Sequence, residues 1–144
     1  MKWLDLSNEK GDRLQIELLG FGPKKAFHHS VLIKILGKTA EYEWQKEYPC
    51  FYDSELNDLA DWLVDLAQTP QGDIPPLQFH DPSMIFVAQC CAGENRCMQI
   101  LLLGDLHPQG WASDEELIFC FPVRQETLLQ LSATLREYGK TLFA

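Results

Sequence analysis

Short apolar runs, separated by glycine, proline and charged residues, constrain the fold of this chain more than any other feature. The run SVLIKILG, residues 30–37, is apolar on both faces except at Lys34. The run RLQIELLGF, residues 13–21, instead alternates apolar and polar side chains, which is typical of a half-buried strand. Strands that are apolar on both faces need cover on both sides. Helices can cover one face, and we expect a second sheet layer, strong curvature or a partner subunit to cover the other.

Six segments have the composition of strands. Gly20, Gly22 and Pro23 predict a loop after the first of them, and Pro49 is expected to end the third. Short connections join most of the segments, among them a tight hairpin at 93–95, which favours antiparallel pairing. The predicted strands cover residues 13–21, 30–37, 39–48, 83–92, 96–105 and 115–123.

Two amphipathic helices are predicted, over about 54–68 and about 125–138, because leucines recur there at helical spacing. Asp53 or Ser54 is expected to cap the first helix, and Gly139 to end the second. The apolar stripes consist of Leu56, Leu59, Leu63 and Leu66, and of Leu128, Leu131, Leu135 and Tyr138.

The order of these elements predicts one α+β domain spanning residues 1–144. Its mainly antiparallel sheet, curved or in two layers, is expected to have about six to eight strands packed with the two α-helices. Apolar residues make up 46% of the chain, which is enough for an ordinary core.

The chain is strongly acidic, with a formal net charge of −9. The imbalance is concentrated in residues 47–94, which hold nine acidic residues and no Lys or Arg. Such a field repels nucleic acid and anionic membrane surfaces, and it attracts a cationic protein partner. The longest apolar stretch, residues 100–104, is too short to span a bilayer, and MKWLDLSNEKGDR at residues 1–13 does not resemble a signal peptide. We therefore expect a cytoplasmic protein.

The five cysteines are odd in number and several lie in apolar runs, so reduced, buried thiols are predicted. Cys90 and Cys91 are adjacent in a predicted strand and point to opposite faces, which disfavours a shared metal. The other three are Cys50, Cys97 and Cys120. His80 precedes Asp81 directly, which is poor geometry for a base and its orienting carboxylate. No catalytic residue, metal ligand or cofactor site is predicted.

Acidic side chains of the first helix form a candidate binding surface. At about 100° per residue, Asp58, Asp61 and Asp65 fall in one sector, with Glu55 nearby and Trp62 at its border. Like charges at this spacing cost helix stability. The sector is either an ordinary solvated face with the Trp edge in the core, or a recognition surface for a cationic partner.

The segment DLHPQGWASDEE, residues 105–116, is a second candidate, because it places Trp111 beside Asp114 and Glu115. An exposed Trp can anchor a protein interface. The alternative is a Trp that folds back to close one end of the sheet.

A series of motifs resembles the WapI-type immunity proteins, which are small cytosolic proteins of bacterial polymorphic toxin systems, including contact-dependent and wall-associated ones. The resemblance covers about residues 13–143. Its motifs are Trp44, PCFYDSELNDLADWL at 49–63, LQFHDP at 77–82 and LHPQGW at 106–111. Asp81 and the final TLFA depart from the family pattern, which has a glutamate at the first position and a Phe-Pro pair near the end.

The resemblance implies a non-enzymatic protein that binds and neutralises the C-terminal domain of a cognate toxin, often a nuclease. Trp62, as part of the shared pattern, then belongs to the core, and specificity belongs to the acidic sector and to residues 105–116. The residues expected to contact the toxin are Glu55, Asp58, Asp61, Asp65, Trp111, Asp114 and Glu115. Two alternatives stay open: a structural homodimer that covers the doubly apolar strands with its own copy, and a small-molecule-binding or hydrolytic domain that uses His80 and His107.

Overall fold

The protein has eight β-strands and two α-helices in a computed structural model that describes residues 1–25, 27–89, 95–112 and 114–143. Short 3₁₀ turns cover Gly104–Leu106 and Thr141–Phe143. The elements are β1 (Lys2–Ser7), β2 (Arg13–Lys25), β3 (His28–Lys38), β4 (Glu43–Tyr52), α1 (Glu55–Gln68), β5 (Leu77–Gln78), β6 (Met84–Gln89), β7 (Arg96–Leu102), β8 (Leu117–Val123) and α2 (Gln125–Lys140).

The strands form two four-stranded antiparallel sheets, in the orders β1-β2-β3-β4 and β5-β6-β7-β8. One helix follows each sheet, so the second half of the chain repeats the plan of the first. The predicted α+β class, the antiparallel pairing and the upper limit of the predicted strand number are confirmed. Two strands at the sheet edges, β1 and β5, were not predicted. Apolar and polar residues do not alternate regularly along β1, and β5 has only two residues.

The inner faces of both sheets and of both helices meet in one hydrophobic core. Both predicted stripes are buried, which confirms the helical periodicity. The helices run antiparallel: Leu56 lies beside Gly139, and the buried Ser132 Oγ donates a 2.8 Å hydrogen bond to the Ala60 carbonyl. Trp62 packs against Phe86 of β6, so α1 lies on the inner side of the second sheet.

Two predicted strand breaks are wrong. β2 continues through Gly20 and Pro23, and its register with β3 shifts at Leu18/Gly20 and at Phe21/Lys24, where bulges absorb the irregular residues. β4 continues through Pro49, which pairs with Leu32. β4 is an edge strand, where the missing N–H of a proline is tolerated.

The predicted helix ends also need correction. Ser54 makes no capping bond with its side chain, and the Asp53 carboxylate instead accepts from the backbone N–H groups of Ser54 and His29. Gly139 lies inside α2, whose last residue is Lys140 and whose C-cap is Thr141. The glycine faces Leu56 of α1, so it lies at the contact between the helices and does not end α2.

The ends of the last three predicted strands also differ from the structure, and the one predicted over 115–123 begins at Leu117. The strand predicted over 83–92 is seen as Met84–Gln89, and residues 90–94, with most of the predicted hairpin at 93–95, lie outside the described residues. The strand predicted over 96–105 ends at Leu102, since Gly104–Leu106 turns into a 3₁₀ helix.

The cysteines meet the prediction only in part. Cys50 is a buried free thiol, and burial raises its pKa, so the thiol stays protonated. Cys120 is free but exposed, because it points outward from β8. Cys97 is disulfide-bonded, contrary to the expected reduced state. Cys90 and Cys91 lie outside the described residues.

Replacement of Gly37 by Ala is expected to destabilise the fold. A Cβ at Gly37 would lie 2.5 Å from the Trp44 ring, which packs across it from β4. The ring cannot easily move, since its Nε1 donates to the Leu106 carbonyl at 3.1 Å. We expect a loss of about 1–3 kcal/mol in the free energy of unfolding, measured by urea denaturation. Gly22→Ala is the matched control, because its Cβ would meet nothing closer than 3.7 Å; equal effects of both changes would contradict the role of the Trp44 contact.

Candidate functional site

The predicted acidic sector lies on the exposed side of α1. Asp58, Asp61 and Asp65 are all exposed, in agreement with the stripe that buries the leucines. Asp61 forms an ion pair with Arg136 of α2, a basic partner 75 residues away in sequence. Within the described ranges, Asp58 and Asp65 have no hydrogen-bond or ion-pair partner. Two of the three carboxylates are thus free for a partner.

The Glu55 side chain has a structural role, because its carboxylate binds two backbone N–H groups of the protein. One carboxylate oxygen accepts from the backbone N–H of Tyr52 at 2.9 Å, and the other accepts from the backbone N–H of His80 at 2.8 Å. The side chain therefore joins the end of β4 to the segment that precedes β6. Its contribution to a partner surface is limited because both oxygens are occupied.

Trp111 folds back onto the protein. Its Nε1 donates to the Glu115 carbonyl at 2.9 Å, and its ring contacts Tyr42 edge-on with 5.3 Å between ring centroids. The ring stays half-exposed and lines a surface cavity of about 450 Å³ together with Asp12, Glu41 and Glu116. The ring thus folds back onto the sheet, as one of the two alternatives predicts, and still presents an edge to solvent; a role as an interface anchor stays a prediction.

The carboxylates of this loop are exposed. Asp114, Glu115 and Glu116 all point into solvent, directly before β8 begins at Leu117. Of the three, Glu116 lines the Trp111 cavity, together with Asp12 and Glu41 from neighbouring turns. Sequence reasoning did not find Asp12 and Glu41, because only tertiary folding brings those turns to β8.

The histidines do not converge on one site. His80 contacts the ring of Tyr52, at one end of β4. His107 follows Leu106, whose carbonyl binds Trp44 near the other end of β4. Eight residues of extended strand separate Trp44 from Tyr52, a distance of roughly 25 Å. The arrangement required by a hydrolytic site with both histidines is thus not formed.

A Ser–His–Asp grouping occurs near the start of α1 but lacks catalytic geometry. Ser54 Oγ lies 3.5 Å from His28 Nδ1, and Asp53 Oδ1 lies 3.8 Å from the same nitrogen. A base needs one ring nitrogen for the nucleophile and the other for the orienting carboxylate. Both contacts use Nδ1, so the group cannot relay a proton from the serine.

The described part of the chain contains no cluster of three or more His, Cys, Asp or Glu side chains that could hold a metal ion. Neither of its helices combines the length and apolar character that crossing a membrane would require.

Asp81 ties the two sheets together. Its carboxylate accepts from the Tyr48 hydroxyl of β4 at 2.7 Å and from the Ser83 N–H at 3.0 Å, just before β6. Burial raises the pKa of Asp81, but the hydrogen bonds from Ser83 and Tyr48 together outweigh it and lower that pKa below its usual value. The charged carboxylate thus stabilises the folded state.

Comparison with known proteins identifies the family. The family model for WapI-like immunity proteins matches residues 5–141, nearly the whole chain. The chain belongs to the WapI-like immunity protein family. A solved structure of the plant transcriptional regulator PBF-2 is similar in fold, with a TM-score of 0.51 and 10% sequence identity over 99% of this chain and 82% of that chain. No curated protein matches the sequence.

The motif residues that resemble the WapI family form one connected set of contacts between the two halves. Phe51 contacts Phe79 with 4.9 Å between ring centroids, and Phe79 contacts Phe86. Trp62 is buried against Phe86 and donates its Nε1 to the Pro75 carbonyl at 2.8 Å. The motif residues among these, together with Glu55 and Asp81, are therefore scaffold.

Asp81→Asn is expected to make the WapI-like protein less stable at neutral pH by about 1–3 kcal/mol, because the amide replaces a charged acceptor of three hydrogen bonds, from the Tyr48 hydroxyl and from the N–H and hydroxyl of Ser83. The folded-state pKa of Asp81 is lowered, so its stabilisation is fully present above the unfolded pKa and is lost as pH falls through the folded pKa. The difference between wild type and variant in urea denaturation should shrink as pH falls through that range. Asp73→Asn, at an exposed loop position, is the control; a pH-independent difference for Asp81→Asn would contradict this account.

Proposed function

We propose that this WapI-like protein binds and neutralises the C-terminal domain of a cognate bacterial toxin, without catalysis. Membership of an immunity protein family supports the class of function. The observation that supports an acidic binding surface is a set of exposed carboxylates that make no hydrogen bond or ion pair within the described residues. Asp58 and Asp65 on α1, and Asp114 and Glu115 before β8, belong to this set.

Electrostatics favour a cationic toxin domain, and a nuclease fits this chemistry best. A nuclease that grips phosphate groups presents basic side chains, which an acidic protein can cover. The net charge of −9 would attract such a domain over a distance and raise the association rate. Binding of this kind weakens as salt screens the charges.

The predicted contact residues differ in how available their side chains are for binding a partner. Asp58, Asp65, Asp114 and Glu115 are available, and Trp111 offers one edge of its ring. Asp61 is already paired with Arg136, and the Glu55 carboxylate is occupied by backbone donors. We therefore assign Asp61 and Glu55 secondary parts.

Co-expression tests the function directly. The toxin domain encoded beside this chain should arrest growth alone, and the chain should restore growth and copurify with the toxin domain. Failure both to protect cells and to form a complex would refute the proposal.

A charge-reversed variant tests the α1 surface. Asp58→Lys with Asp65→Lys leaves the Asp61–Arg136 pair intact and should fold normally, because both side chains are exposed. We expect Kd for the toxin domain to rise by about tenfold or more and its salt dependence to fall, measured by calorimetry at several salt concentrations. Glu43→Lys with Glu47→Lys makes the same change in net charge at exposed positions of β4 in the first sheet and serves as control. Equal affinities for the two variants would place the contact away from α1.

A further inference from the structure

The outer face of the second sheet differs from the outer face of the first in its chemistry. Cross-strand register places nine outward-pointing residues of β6, β7 and β8 in three rows of three. We call this set the open face. Its rows are Ile85–Leu101–Ile118, Val87–Gln99–Cys120 and Gln89–Cys97–Pro122.

No member of the open face carries a charge, and seven of the nine are aliphatic residues, cysteine or proline that an antiparallel sheet normally turns inward or covers. Their neighbours in each strand are buried in the core, so the open face is the side turned away from it. All nine residues keep some solvent exposure, and Ile118 is 38% exposed.

The first sheet provides an internal comparison. Its outer face carries charges that oppose one another across strands: Lys34 lies between Glu17 and Glu47. Arg13 donates two hydrogen bonds of 2.9 Å to Asp5, and the pKa of Asp5 is lowered to about 2. The outer face of the first sheet therefore carries cross-strand pairs of opposite charge, and the open face has none.

Acidic side chains surround one end of the open face. Ile118 and Asp12 line both the Trp111 cavity and an adjoining groove that runs past Cys120 to Pro122. The rim consists of Glu9, Asp12, Glu41 and Glu116, with Lys10 as a basic member. At the far end Arg124 lies near Glu126, at 3.9 Å.

We propose that the toxin domain covers the open face, with an apolar centre against the three rows and basic side chains against the acidic rim. This inference rests on the proposed function and names its surface. It names a contact surface separate from the α1 carboxylates, on the side of the second sheet opposite α1, which packs on the inner side through Trp62 and Phe86. Loss of affinity on charge reversal of Asp58 and Asp65, with no change for Ile118→Lys, would place the contact on α1 instead.

Area and charge favour a basic partner over a second copy of the chain. Strands about 4.8 Å apart and same-face rows about 6.8 Å apart give the open face an area of about 300 Å². A stable interface buries about 800 Å² on each partner, so the rim must be part of it. Two copies would bring acidic rims and two net charges of −9 together, whereas a basic domain gains attraction at the same places.

Cys120 supplies a test that needs no mutation. It is a free, exposed thiol in the middle row, whereas Cys50 is free and buried. We expect iodoacetamide to modify Cys120 in the protein alone, as read by peptide mass spectrometry, and the bound toxin domain to reduce that modification at least about tenfold. Unchanged modification of Cys120 in a saturated complex would overturn the inference, and the proposed function would stand.

A matched pair of variants gives the second test. Ile118→Lys places a charge in the apolar centre and should raise Kd for the toxin domain at least about tenfold. Leu19→Lys on β2 of the first sheet, where the side chain is 43% exposed, should leave Kd unchanged. Thermal unfolding followed by circular dichroism checks that both variants keep the fold. Equal Kd values for Ile118→Lys and wild type would refute the inference.

Two further outcomes separate the inference from its rivals. A wild-type protein that fails to bind the toxin domain refutes the proposed function itself. Light scattering that shows a wild-type dimer, converted to monomer by Ile118→Lys, would assign the open face to a second copy and overturn the inference.

Discussion

The packing of α1 against α2 is the contact on which the rest of the structure depends. Each half of the chain is a four-stranded meander with one helix, and neither helix alone could cover its sheet. Small side chains let the helices approach closely, and Ser132 donates a buried hydrogen bond to the Ala60 carbonyl. Arg96 of β7 donates to the Ala67 carbonyl at the end of α1, which ties the second sheet to the same pair. One shared core results, and the outer faces of both sheets are left to other uses.

The family motif is explained by this architecture. Its aromatic and acidic members join the end of β4, the start of α1 and the segment before β6, which is the joint between the two halves. Glu55 bridges two backbone N–H groups there, and Trp62 fills the space beneath Phe86. We propose that contacts specific to a toxin come from surfaces with no part in this joint, among them the open face and the exposed carboxylates of α1.

The fold was predictable where it depends on the spacing of residues close in sequence. The leucine stripes of both helices and the alternation of β2 follow from the spacing of apolar residues, and the burial of these side chains confirms both predictions. The predicted breaks at Gly20–Pro23 and at Pro49 failed because bulges and an edge position tolerate residues that a central strand excludes. The prediction that Gly139 ends α2 is wrong, because the helix continues to Lys140 and Gly139 lies at its contact with Leu56.

The sequence by itself determined an acidic chain with two amphipathic helices, antiparallel strands and three exposed aspartates on α1, because charge and periodicity are properties of neighbouring residues. It also indicated strands with two apolar faces. Only the tertiary structure decided which side chains pair and which residues share a sheet face. Arg136 forms an ion pair with Asp61, 75 residues away, and the cross-strand register assembles the open face from three strands. These features depend on packing between distant segments, which sequence spacing does not specify.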